Sequence, residues 1–138
     1  MSKYQHLFSP IKIGTMEVKN RLVVPAMGTN LAESSHEAGE ALIRYYTERA
    51  KGGFGLIITE CTAIAQEGSS LVNECAIWDD SFIPSYQKLT AAVQAAGAKS
   101  AVSCATRAGR PSQNTPAAKK SLLPPPYPAL PARVCPGR

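Results

Sequence analysis

Glu60 is the first residue to weigh for chemistry. It follows the apolar run Gly55-Leu56-Ile57-Ile58-Thr59, and a carboxylate at a strand end can take or give a proton. Carboxylate acid–base work usually sets two groups against each other. No partner carboxylate for Glu60 is evident, so a structural role is the preferred reading. The cysteines are Cys61, Cys75, Cys104 and Cys135. None forms a C-x-x-C pair, and His6 and His36 lack metal-ligand spacing, so the set reads as free thiols with no metal site. Gly52-Gly53-Phe54-Gly55 has the glycines of a phosphate loop. It lies between helix and strand, however, whereas a dinucleotide fingerprint lies between strand and helix, so it reads as a helix stop.

The elements around these residues follow an α/β pattern. Leu7 to Val18 predicts a short hairpin: Ile11 and Ile13, then Met16 and Val18, alternate with polar residues around a Gly14-Thr15 turn. Leu22-Val23-Val24 predicts a strand covered on both faces, stopping at Pro25. Ser34-Ser35-His36-Glu37 has the form of a capping box and predicts a helix start. Leu42, Tyr45, Tyr46 and Arg49 carry that helix at three- and four-residue spacings, and Gly52-Gly53 ends it. Gly55 to Thr59 predicts a second strand, followed by a long loop from Cys61 to Asp80. Asp80 or Ser81 is the predicted cap of a second helix with Pro84 in its first turn. Tyr86, Leu89, Val93 and Ala96 line one face of it, Gly97 closes it, and Lys99 to Val102 begins a third strand. Strand, helix, strand, helix, strand implies a parallel sheet with right-handed crossovers.

The charge divides the chain in two. The net charge is +5. Residues 1–99 are nearly neutral, whereas 100–138 carry six Lys/Arg, no acid and eight of the eleven prolines. Pro124-Pro125-Pro126-Tyr127-Pro128 cannot join a sheet, since proline lacks the amide donor. Residues 103–138 show no periodicity, and their composition predicts a disordered tail. Its basic residues lack aromatic interleaving, so no nucleic-acid partner is expected. No signal peptide opens the chain and no apolar run is long enough to span a bilayer. A cytoplasmic protein without a membrane partner is the expectation.

Several ordered landmarks carry a resemblance. They are Leu7-Phe8-Ser9-Pro10, Lys19-Asn20-Arg21, Tyr45-Tyr46 with Arg49-Ala50-Lys51-Gly52-Gly53, and Asp79-Asp80-Ser81-Phe82-Ile83-Pro84. Together they resemble the opening of the Old Yellow Enzyme-like NADH:flavin oxidoreductase family, from about Leu7 to Val102. Val24-Pro25-Ala26-Met27-Gly28-Thr29-Asn30-Leu31 is most similar to the enoate and 2,4-dienoyl-CoA reductase-like branch. The resemblance implies that residues 1–102 are the N-terminal part of a (β/α)8 TIM barrel: a hairpin, three strands and two helices. It implies FMN as cofactor, NAD(P)H as reductant, and hydride transfer through FMN to an activated alkene such as an enoate or enoyl thioester. An iron–sulfur cluster is implied only for full-length relatives. Pro25, Ala26, Met27 and Gly28 are placed against the flavin, largely through backbone, with Cys61 beside it and Asn30 toward substrate. Gly28 stands where relatives often have Thr or Cys. No catalytic residue is assigned.

Departures from the family pattern lead to a second expectation. The family's third strand continues Ala-Val-Gln-Leu-x-His-Ala-Gly-Arg-Gln, while this chain reads Ala101-Val102-Ser103-Cys104-Ala105-Thr106-Arg107-Ala108-Gly109-Arg110-Pro111. Ser103 replaces a flavin-contacting Gln. Codons compatible with Val102 to Pro111, read one nucleotide over, encode Gln-Leu-Arg-His-Ala-Gly-Arg-Gln, so a frameshift near codon 102 or 103 is expected. Barrels of this kind need about 250 residues. The family's substrate-binding His/Asn pair, tyrosine proton donor and phosphate loops do not occur in these 138 residues. The polypeptide is therefore expected to be a truncated, inactive fragment. A small interaction module using the basic tail is a lesser reading.

Overall fold

The computed structural model describes residues 3–105. The expected disorder and frameshift of the tail beyond Ala105 lie outside the described residues. The chain opens with an antiparallel hairpin, β1 (Ile11–Ile13) and β2 (Met16–Val18), paired Ile11 to Val18 and Ile13 to Met16. Gly14 takes the turn at φ +59, a left-handed conformation that glycine adopts without steric cost. There follow β3 (Val23–Val24), α1 (Glu40–Lys51), β4 (Leu56–Ala63), β5 (Cys75–Ala76), α2 (Ile83–Ala95) and β6 (Lys99–Ala105). One 3-10 turn, Gln66–Gly68, precedes β5 and another, Asp80–Phe82, precedes α2.

The sheet is parallel, as the strand–helix alternation predicts. β4 is its central strand. One edge receives β3 near its start, with Val23 opposite Leu56, and β5 near its end, with Thr62 opposite Cys75. The other edge receives β6 from Leu56/Lys99 to Ala63/Ala105. Backbone bonds from the Gly55 amide to the Leu22 carbonyl (3.0 Å) and from the Lys99 amide to the Gly55 carbonyl (2.9 Å) bring the three strand starts level.

Four expectations are corrected. The first helix begins at Glu40 with Gly39 as N-cap and no side-chain cap, not at the Ser34 capping box. The Ser35 hydroxyl donates instead to the Glu37 carboxylate (2.9 Å), and His36, at φ +68, turns the chain left-handed there. Its ring nitrogen Nδ1 lies 2.8 Å from the Glu74 carbonyl and its ring meets Trp78 edge-on at 5.4 Å. These long-range contacts hold the capping-box residues in a turn. The second strand runs on to Ala63, and the segment expected as loop contains β5. Asp79, not Asp80 or Ser81, caps the turn into α2, its carboxylate accepting from the Ser81 amide at 2.9 Å. Finally, β6 continues to Ala105, three residues past the boundary expected at Val102.

The core lies between the sheet and the two helices. Leu42, Tyr46 and Ala50 of α1 and Tyr86, Leu89 and Val93 of α2 pack with Val24, Ile57, Cys75, Ala76 and Phe82. These are helical three- and four-residue stripes. The guanidinium of Arg49 lies 3.2 Å from the Tyr45 ring centroid, a cation–π contact that explains its place on the stripe. The hairpin end packs against the start of β4: a Cβ built on Gly55 would lie 2.6 Å from Asn20 Oδ1 and 2.8 Å from Val18 Cγ1. Asn20 is buried there, donating to the Gly53 carbonyl (2.7 Å) and accepting from the Leu22 amide (3.1 Å).

Two outcomes follow from this core. Gly55→Ala forces a methyl into the Asn20–Val18 contact and should cost about 1–3 kcal/mol, read as a lower urea midpoint with unchanged m-value. The second concerns alkaline pH. Burial, reinforced by the nearby Glu60, pushes the Cys75 thiol from 9.0 up to about 12. Burial likewise raises Tyr46 and Tyr86 above their ordinary value of 10.0. The unfolded chain loses these protons first. The stabilisation is therefore complete below about pH 9 and is lost as pH climbs toward the folded values. Urea midpoints should fall progressively above pH 9, and less steeply in Cys75→Ala.

Candidate functional site

The site begins where β3 stops. Pro25 has no amide hydrogen, so the ladder to β4 cannot continue through it. Ala26, Met27 and Gly28 run on without strand pairing, and none of their amides donates to another described residue. Val24 is opposite Ile57, and Gly28 and Cys61 each lie four residues further along. Thr29 then touches Glu60 directly, so the segment stays beside β4. The sequence-predicted residues Pro25, Ala26, Met27 and Gly28 thus follow the C-terminal end of β3, and Cys61 lies toward that of β4, the end of the strands where ligands bind in sheets of this kind.

A bulge aims this end of β4. Ile58 pairs with Ala101 but Cys61 with Ser103, so Thr59 and Glu60 together oppose Val102. Bulges of this sort re-aim side chains. Val102 packs toward the helices; by strand alternation Ser103, and with it Cys61, lies on the opposite face. Cys61 and Ser103 are therefore level neighbours on the face away from the helices. Both are half-buried. Met27 is half exposed, at 50%, and offers flat apolar surface beside the unpartnered amides.

Glycine at position 28 has a packing reason. A Cβ there would lie 2.8 Å from Leu71 Cδ1. A larger residue at this position would have to displace Leu71. Asn30 is exposed and left-handed, at φ +58. Its Oδ1 accepts from the Asn73 amide at 2.9 Å, and the Ala32 amide donates to the Asn73 carbonyl at 3.3 Å. The side chain expected to face substrate thus also ties its own loop to the segment before β5.

Two buried carboxylates hold these loops, and neither has a cation beside it among the described residues. Glu60 is fully buried. Its Oε2 accepts from the Thr29 amide (2.6 Å) and the Thr29 hydroxyl (2.7 Å), and its Oε1 from the Cys75 amide (3.4 Å). The Glu60 amide donates to the Tyr46 hydroxyl at 2.7 Å. Glu74 is buried as well. Its Oε2 accepts from the Ser70 amide (2.5 Å) and hydroxyl (3.0 Å) and from the Leu71 amide (3.1 Å). A buried carboxylate stripped of water is costly unless donors surround it. Each of these has drawn in a loop. The preferred reading of Glu60 as structural agrees with this arrangement. Sequence reasoning missed Thr29 and Glu74. An acidic residue closing an apolar run marks Glu60, but its donors lie 31 and 15 residues away in sequence.

The arrangement has the kinds of group that a planar ring would need. Unpaired amides suit the polar edge of a flavin, and Ala26 and Met27 suit its face. The residues present fit the ring of FMN. They do not fit an iron–sulfur cluster: among the described residues no three His, Cys, Asp or Glu side chains gather to hold a metal. Thr59 Oγ1, beside the bulge, is a buried polar atom without a partner. No helix among the described residues is long and apolar enough to cross a membrane.

Known proteins share this sequence and fold. The model of the NADH:flavin oxidoreductase / NADH oxidase family matches residues 6–127. The match passes the limit expected at Val102. An NADH oxidase of Thermoanaerobacter brockii is 36% identical over 125 residues, 90% of this chain and 19% of that protein. The structure of 2-naphthoyl-CoA reductase in complex with 2-naphthoyl-CoA superposes with a TM-score of 0.71 at 33% identity, over 73% of this chain and 16% of its own. The Old Yellow Enzyme homologue from Zymomonas mobilis superposes with a TM-score of 0.67 at 33% identity, over 72% of this chain and 28% of its own. The chain spans about a fifth of the length of the curated relative it matches. On sequence and on fold together, the chain belongs to the NADH:flavin oxidoreductase / NADH oxidase family and corresponds to the opening α/β segment of an Old Yellow Enzyme-type barrel.

Proposed function

We propose that these residues form the flavin-facing opening of an FMN-dependent, NAD(P)H-linked ene-reductase, and that the 138-residue polypeptide is not catalytic by itself. Bound FMN would supply hydride transfer from NAD(P)H to an activated alkene, an enoate or an enoyl thioester. The 2-naphthoyl-CoA held by one structural relative supports the thioester class. In this reading the amides of Ala26, Met27 and Gly28 meet the polar edge of the ring and Met27 covers its face. Cys61 and Ser103 lie level beside it. Asn30, its oxygen engaged by Asn73, turns its amide nitrogen toward substrate.

The observation that carries the binding role is the set of unpartnered amides at the strand ends, level with Cys61. The inactive part rests on two others. The chain covers 16% and 28% of the two structural relatives. Among the described residues, the two core tyrosines are poor proton donors: the Tyr46 hydroxyl accepts from the Glu60 amide and the Tyr86 hydroxyl lies 3.3 Å from Thr62 Oγ1. Burial also raises both above their ordinary pKa.

Expression with FMN followed by desalting tests both parts. A flavin difference spectrum on titration, with an ordered circular dichroism signal and no NADH-dependent reduction of an enoate, is the expected result. Steady turnover would overturn the inactive part. An ordered chain whose amides at residues 26–28 ignore FMN in a ¹H–¹⁵N spectrum would overturn the binding part.

A further inference from the structure

We infer that Glu60 is the positioning residue of the flavin-facing segment. Its carboxylate, acting through Thr29, sets the orientation of the peptide that follows Gly28. This rests on the flavin reading above and adds to it a residue that does not itself touch the ring.

Glu60 Oε2 takes both donors of one residue, the Thr29 amide at 2.6 Å and its hydroxyl at 2.7 Å. Two donors on one oxygen fix the residue in orientation as well as in place. The Thr29 amide belongs to the same peptide group as the Gly28 carbonyl. In a planar trans peptide the N–H and C=O point in opposite directions. With the N–H held on Glu60, the Gly28 carbonyl must point away from it. The carboxylate therefore fixes the direction of an acceptor in the segment that would meet the ring.

The anchor is itself rigid. Glu60 sits in the bulge of β4, is fully buried, and has its other oxygen on the Cys75 amide of β5. The Tyr46 hydroxyl accepts from its own amide, so helix, two strands and loop converge on this residue. The Thr29 hydroxyl also accepts from the Leu31 amide at 3.2 Å, which passes the constraint on to the turn where Asn30 is left-handed. A second tie, from Asn30 and Ala32 to Asn73, closes the loop from the other side. Without the carboxylate, the free amides of residues 26–28 would hang from Val24 at one end and that distant tie at the other.

Amide exchange and FMN titration of the 138-residue chain separate this inference from the reading beneath it. Thr29→Val removes one donor and leaves the core untouched. Glu60→Gln keeps the volume but turns an N–H₂ toward one of the donor groups, and Thr29→Ser restores the hydroxyl. Loss of a hydrogen bond to a charged group should raise exchange at residues 29–31 roughly tenfold or more in Thr29→Val and Glu60→Gln. Exchange in β6 should stay unchanged and Thr29→Ser should recover. With FMN added, the shift changes at Ala26, Met27 and Gly28 should weaken in the same two variants and recover in the third. Unchanged exchange at 29–31 in both variants would overturn the positioning role whatever FMN does. If FMN leaves the wild-type amides 26–28 unmoved while exchange responds as expected, the flavin reading fails, and the flavin part of this inference fails with it.

Discussion

A carboxylate taken fully out of water, with no cation beside it among the described residues, is the constraint around which this end of the molecule is arranged. Glu60 must be surrounded by donors. The donors come from Thr29, ahead of the first helix, and from Cys75, at the start of β5. Satisfying one buried group thus joins three stretches of chain distant in sequence. Glu74 repeats the device a short way off, gathering the amides of Ser70 and Leu71 and the Ser70 hydroxyl into a loop that comes close to Gly28. Such networks rigidify when complete, and a rigid backing is what a binding segment made of bare backbone needs.

The rest of the fold serves to hold β4 in position. Its helix-facing side is closed by the apolar stripes of α1 and α2 around Ile57 and Leu89. Its starting end is closed by the hairpin, with Asn20 making the hydrogen bonds that a chain crossing so close to Gly55 would otherwise leave unmade. The face away from the helices carries Ile58, Ala101, Cys61 and Ser103 and is less covered. Val23 there is 40% exposed. In barrels of the matched structures this kind of face turns inward, which agrees with apolar and small residues on a surface that a four-stranded sheet leaves partly open.

Much of this was legible in the sequence where the signal is local. Alternation around Gly14 marks the hairpin, the three- and four-residue stripes mark both helices, and continuous apolar runs mark β3 and β4, although the cover expected on both faces of β3 is not found: Val23 is 40% exposed. The errors share one cause. Ser34 to Glu37 has the chemistry of a helix cap, but His36 is claimed by the Glu74 carbonyl and by Trp78, so those residues form a turn. Cys75 and Ala76 are too few to show a period, and become a strand only because the end of β4 offers them an edge. Ser103 to Ala105 lack any apolar pattern, yet pair with Cys61 to Ala63 because β4 extends that far. Partners distant in the chain decided each case.

The sequence by itself determined the lineage, the order of strand and helix, and the residues at the strand ends, since these rest on residue type and short spacing. Tertiary structure alone decided how those residues are held. The bulge that sets Cys61 level with Ser103, the pressure of Leu71 on Gly28, and the clasp of Glu60 on Thr29 all depend on segments meeting across tens of residues. The physical reason is the range of the forces involved. Backbone propensity and apolar periodicity act between near neighbours in the chain, whereas the desolvation of a buried charge is answered by whichever donors folding brings beside it.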